Sequence, residues 1–228
     1  PPGHHCLPDF PNGFCLLANI PIAIEAARAA KLVGRVAIVD WDVHHGNGSE
    51  AIYYGDPNTL TISIHQEYCY PQDTGEIEKT GTDQAPNSNM NIPLPPGAGH
   101  KTYLEAMERL VLPKLREFEP ELIIIACGYD AANGDPLSRM MCSSNTFRLM
   151  TRMLMAETQG KIVAAHEGGY SEVYVPFCGH AVLEEMSGSL INIEDPMLSR
   201  IEKQQPNERA LAFFSSEISR MVDFFKIA

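Results

Sequence analysis

Short, unbroken apolar runs alternate along the chain with longer segments whose apolar positions recur at helical spacing. Val36–Val39 and Leu122–Ala126 are apolar throughout and read as buried strands. Thr59–His65 alternates and is β-branched, Ile162–Ala165 is a further strand, and Met90–Leu94 a short one. Between them, Ala18–Leu32 is Ala-rich and helical in pattern, ending near Gly34. Glu50–Tyr54 reads as a short helix stopped by Gly55-Asp56-Pro57. His100–Phe118 reads as a helix interrupted near Pro113. Asn145–Glu157 places Phe147, Met150 and Leu154 on one face, and Val175–Met186 is a further helical stretch. From Glu208 onward Leu211, Phe214, Ile218, Met221 and Phe225 fall at helical spacing, which predicts a helix packed on the body, with a homo-oligomeric (dimer) seam as the alternative.

Strands that alternate with helices predict an α/β fold: a mostly parallel sheet flanked by helices on both faces. Residues 66–100 form a long stretch rich in Gly, Pro, Asn and Asp, and a loop of that length in a compact domain is usually functional. Residues 1–228 read as a single domain, a size that supports one large core. No apolar run reaches the length that crosses a bilayer, so no membrane partner is expected. A net charge of −12, without a basic cluster, argues against direct nucleic-acid binding. The six cysteines are scattered with no C-x-x-C pair, which points to a reduced compartment, the cytoplasm.

In such sheets ligands bind beyond the carboxyl ends of the strands. Three polar motifs follow predicted strands: Asp40-x-Asp42-x-His44, Gly128-Tyr129-Asp130 and His166-Glu167-Gly168-Gly169-Tyr170. Side chains of an extended chain alternate faces, so Asp40, Asp42 and His44 should project together while the backbone stays extended. Clustered carboxylates are costly to bury without a cation, and carboxylate with imidazole suits a hard-to-borderline metal. A solvated loop after a strand would account for one or two of these residues, not for all of them at period two. Asp130 is a candidate third ligand; three protein ligands with an open position is the pattern of a catalytic zinc site. The His4-His5 pair could move a proton from water to a leaving amine, with Asp40 and Asn47 as candidates to orient it. Tyr170, after two glycines, could donate to a developing oxyanion, a contribution of about 3 kcal/mol. His166-Glu167 lacks the second histidine of a metalloprotease helix.

Pro1-Pro2-Gly3-His4-His5, Gly13-Phe14-Cys15, Asp40-x-Asp42-x-His44-His45-Gly46-Asn47-Gly48, Ser63-Ile64-His65, Tyr129-Asp130, Gly134-Asp135-Pro136 and Glu167-Gly168-Gly169-Tyr170 together resemble the histone deacetylase superfamily. The set runs in order to about residue 190 and is closest to the class II branch and its bacterial deacetylase-like amidohydrolases. The resemblance implies an arginase-like α/β fold. It implies zinc (Zn2+) held by Asp42, His44 and Asp130, with His5 as general base, His4 supporting it, Asp40 orienting His4, and Asn47 beside His5. Tyr170 would polarise the scissile carbonyl. Potassium (K+) would lie among Asp40, Asp42, His44, Ser63 and the Ile64 carbonyl, and an acyl-lysine tunnel would be lined by Phe14, Tyr70 and Leu137.

The expected reaction is release of acetate from an acetylated lysine peptide or a small acetylated amine. Leu137 stands where a polyamine-selective branch carries Glu, which leans toward acyl-lysine, and Tyr170 stands where a nearly inactive animal subgroup carries His. The superfamily domain extends upstream of the Pro-Gly-His-His motif, so the chain reads as a partial domain that would be poorly active alone. Two competing readings are a binuclear manganese ureohydrolase, against which Ala132 stands where a second Asp would be needed, and a non-catalytic acyl-lysine binder.

Overall fold

Five parallel strands in the order β3-β2-β1-β4-β5 form the sheet of this computed structural model, which describes residues 2–158, 161–191 and 193–227. Pro1 of the first motif lies outside them. The strands are β1 (Val36–Asp40), β2 (Thr59–Gln66), β3 (Asn89–Leu94), β4 (Leu122–Cys127) and β5 (Ile162–His166). The helices are α1 (Asn19–Ala29), α2 (Asn47–Tyr53), α3 (His100–Ala106), α4 (Leu112–Phe118), α5 (Ser144–Glu157), α6 (Val175–Ser187), α7 (Leu198–Lys203) and α8 (Glu208–Phe225).

The apolar runs of β1 and β4 are divided by period two between two cores, as strands covered on both faces require. Ala37, Val39, Ile123 and Ile125 enter the larger core with Tyr103, Leu110, Phe147, Met150, Ile218 and Met221. Val36, Ile38, Ile124 and Ala126 enter the smaller one with Ile20 and Ile24 of α1 and Tyr53 of α2. Helices therefore cover both faces, as the alternation of elements predicts.

Two boundaries differ informatively from the sequence reading. Pro113 does not break the helix. A π-helical turn, Met107–Val111, precedes it, and the Leu112 amide reaches back to the Met107 carbonyl. The wider turn lets the chain pass a residue with no N–H to give. Helix α7 was not predicted: six residues carry too little periodicity, and only Ile201 is buried. Helix α8 packs its Phe214–Ile218–Met221 stripe on the body, as expected.

Phe147 is fully buried, with Trp41 and Tyr129 rings 6.3 and 5.5 Å away. Phe147→Ala should lower unfolding stability by about 3–5 kcal/mol in a denaturant titration, whereas exposed Leu183→Ala should stay within about 0.5 kcal/mol.

Candidate functional site

The connection between β1 and β2 runs one way along the sheet, and β4 joins β1 on its other side. The crevice between β1 and β4 is thus the point where strand order reverses, the place where open parallel sheets bind ligands. The loop after β1 delivers Asp42 and His44 to it, and the loop after β4 delivers Asp130.

Strand pairing ends at Asp40, so extension alone does not make the motif converge. The chain instead takes two successive side-chain turns. The Asp42 amide donates to Asp40 Oδ1 at 3.1 Å, and the His44 amide donates to Asp42 Oδ1 at 2.9 Å. Aspartate accepting from the amide two residues on is a favoured local turn. It preserves the period-two convergence after the strand has ended.

Asp42, His44 and Asp130 are all buried, and their potential ligand atoms lie within 4.8 Å of one another. Asp42 is further fixed by the Gly168 amide, 2.7 Å from its Oδ2. Asp130 Oδ1 accepts the Val43 amide at 2.8 Å. Among the described residues Asp130 Oδ2 makes no well-formed hydrogen bond, and His44 Nδ1 lies 3.0 Å from it. Burial and the charge of Asp42 push Asp130 above the usual carboxylate range. A buried, unpartnered carboxylate oxygen is expensive unless a cation completes it. The donor set of two carboxylates and one imidazole suits zinc, so the residues present fit that ion.

His4 and His5 stack with ring centroids 3.9 Å apart, yet they differ electrostatically. His4 Nδ1 is 2.8 Å from Asp40 Oδ2, and its Nε2 is 3.7 Å from Asp42 Oδ2. Burial opposes its charge, but the two carboxylates outweigh burial and raise its pKa to about 10. His5 Nδ1 is 2.8 Å from Asn47 Oδ1. Burial, then the charge on His4, lowers the His5 pKa to about 3. One imidazole is held protonated and its neighbour neutral. Because Asn47 Oδ1 accepts, His5 Nδ1 carries the hydrogen and Nε2 keeps its lone pair.

Gly168 permits the approach of the third segment. A Cβ there would meet Asp130 Oδ2 at 2.3 Å and Asp42 Oδ2 at 2.7 Å. Gly169 follows at φ +135°, a conformation closed to other residues, and sets Tyr170 facing the site. Burial raises the Tyr170 pKa, keeping the phenol a donor. Tyr170 lies 6.4 Å from the His44 ring and 6.3 Å from Phe14, centre to centre. A cavity of about 460 Å³ joins His5, His44 and Tyr170 to Phe14, Tyr70 and Leu137. The sequence-predicted site residues are therefore brought together. Ser63 lies in register with Asp40 across β1–β2, with Ile64 next along the strand.

Three residues with no role in the sequence reading also belong here. Cys69 lines the cavity; its position beside Tyr70 in the long loop was the available signal. Glu167, buried, accepts the Gly3 and His4 amides at 2.6 and 3.0 Å. Burial lifts its pKa to about 7. Asp135, also buried, accepts the amides of Leu137 and Tyr170 at 2.9 and 2.7 Å. Both acids stand inside recognised motifs, but backbone amide donors carry no residue-type signal.

Residues 1–186 match the family described as histone deacetylase domain. The chain is 53% identical over 211 residues to a histone deacetylase-like amidohydrolase of Pseudomonas aeruginosa, covering 91% of this chain and 56% of that protein. It is 34% identical over 226 residues to histone deacetylase 8 of Arabidopsis thaliana, covering 95% and 59%. A probable deacetylase of Archaeoglobus fulgidus is 37% identical over 202 residues, covering 86% and 56%. Among solved structures, the crystal structure of the HDA15 HD domain superposes with a TM-score of 0.80 at 37% identity, over 83% of this chain and 56% of that one. The chain thus spans a little over half the length of these relatives. With a parallel sheet, a three-ligand pocket at its switch point and a family match over most of its length, the chain belongs to the histone deacetylase family.

Proposed function

We propose that this chain carries the catalytic centre of a zinc-dependent deacetylase that hydrolyses the amide of acetylated lysine side chains. The observation that carries the reading is the unpartnered Asp130 Oδ2, buried beside Asp42 and His44 within ligand reach. Zinc held by these three side chains would supply Lewis acidity, lowering the pKa of water and polarising the acyl carbonyl.

The chain's own residues divide the remaining work. Neutral His5, with Nδ1 bound to Asn47, offers Nε2 to take the proton of the attacking water. Cationic His4, paired with Asp40, adds positive charge where negative charge develops and keeps His5 neutral. The Tyr170 hydroxyl donates to the developing oxyanion. His5 then returns its proton to the departing amine, and acetate and free amine leave. Phe14, Tyr70 and Leu137 exclude water from the apolar stem of the substrate. The apolar Leu137 favours acyl-lysine over a cationic acetylpolyamine, which is the alternative substrate class. A potassium ion beside Asp40, Asp42, His44, Ser63 and the Ile64 carbonyl would offset further buried negative charge. Among the described residues no helix is long and apolar enough to cross a membrane.

Elemental analysis of the purified protein should find one zinc per chain; two manganese ions would instead support a ureohydrolase. Asp130→Ala should lose that zinc. Tyr170→Phe should keep zinc and lose about 10²–10³-fold in kcat on an acetyl-lysine peptide; an unchanged rate would remove Tyr170 from the oxyanion role. His5→Ala should retain zinc and lose about 10²–10⁴-fold in turnover, and retained turnover would reassign the base.

A further inference from the structure

We infer that Asp135 is a positioning residue for Tyr170, holding the backbone of the oxyanion donor in register with the tunnel wall. Its side chain is buried, 5% exposed, and is not among those that line the cavity. Both oxygens are committed: Oδ2 accepts the Tyr170 amide at 2.7 Å and Oδ1 accepts the Leu137 amide at 2.9 Å. Those amides belong to different connections, one after β4 and one after β5. A single side chain therefore locks the two loops to each other.

The lock is needed because of what precedes Tyr170. Gly168 must be glycine to pass the metal carboxylates, and Gly169 must be glycine for its positive φ. Two consecutive glycines leave the backbone with the greatest freedom exactly one residue before the donor. The Tyr170 ring meets the His44 ring edge-on and the Phe14 ring at a tilt. Asp135 itself sits on a rigid base. Its amide donates to the Ala132 carbonyl at 3.2 Å, and the next contacts of that loop, Asn133 amide to Cys142 carbonyl and Cys142 amide to Ala131 carbonyl, tie it to the start of α5 at 2.8 and 3.1 Å. An ionised carboxylate accepting N–H groups makes short, strong bonds. Gly168 is tied on both sides, its amide to Asp42 and its carbonyl to the Tyr129 amide, and Asp135 extends that fixation past Gly169 to Tyr170 itself.

The role rests on the proposed deacetylase reading, and the test separates the two. In the full-length protein loaded with zinc, Asp135→Asn exchanges one acceptor oxygen for an amide that cannot accept. It should lower kcat on an acetyl-lysine peptide by about tenfold or more, since a donor displaced by about 1 Å can cost about 10²-fold. In a Tyr170→Phe background the same substitution should lower kcat by less than about twofold, because there is no hydroxyl left to aim. Zinc content should stay at one per chain. Hydrogen–deuterium exchange should speed up in residues 168–171 and stay unchanged in β1 and β4. Equal losses in both backgrounds, or unchanged exchange at 168–171, would overturn the positioning role while leaving the deacetylase reading intact. A wild-type protein that holds zinc but turns over no acyl-lysine would overturn the deacetylase reading, and this role with it.

Discussion

Five buried carboxylates crowd one end of the sheet: Asp40, Asp42, Asp130, Asp135 and Glu167. Everything else at the site answers that concentration of negative charge. Burial penalises each ionised acid, and their proximity adds repulsion. The protein compensates in two ways. Imidazoles face the acids, namely His4 against Asp40 and Asp42, and His44 against Asp42 and Asp130. Backbone amides supply the rest: every one of the five accepts at least one N–H.

Those amide bonds explain why the fold is needed to make the site. Asp40 and Asp42 shape their own loop, but Asp42 also binds Gly168, Asp130 binds Val43, and Glu167 binds Gly3 and His4. The bonds run between connections that leave different strands, or between a connection and the start of the chain. Each acid therefore fixes backbone as well as carrying charge. Asp130 shows the division most clearly, with Oδ1 on an amide and Oδ2 left for a cation.

The sheet and the cluster of candidate metal ligands were legible in the sequence because both are written in residue type. Apolar or alternating β-branched runs marked the strands, and acids with histidine at period two marked two of the candidate ligands. The tunnel residues Phe14, Tyr70 and Leu137 came from resemblance; no spacing could have joined positions so far apart. What was illegible depended on the main chain. The side-chain turns that carry the ligand motif beyond the end of β1, the π-helical turn ahead of Pro113, and the clamps of Glu167 and Asp135 all use N–H groups that every residue except proline possesses. Helix α7 was missed for a different reason: with one buried residue it has no periodicity to read.

The histidine pair shows how far residue type alone can go. Two adjacent imidazoles are chemically identical in sequence, and nothing in His4-His5 says which takes a proton. Position decides it. His4 lies against two carboxylates, so its protonated form is stabilised and it has no lone pair to offer. His5 faces an amide oxygen instead, and the neighbouring imidazolium makes a second positive charge costly. An acid at position 47 would raise the His5 pKa and bring the two imidazoles closer in character. Burial and the neighbouring imidazolium, together with a neutral partner at position 47 against an acid at position 40, thus set the two rings apart, as the proposed division between proton acceptor and fixed charge requires.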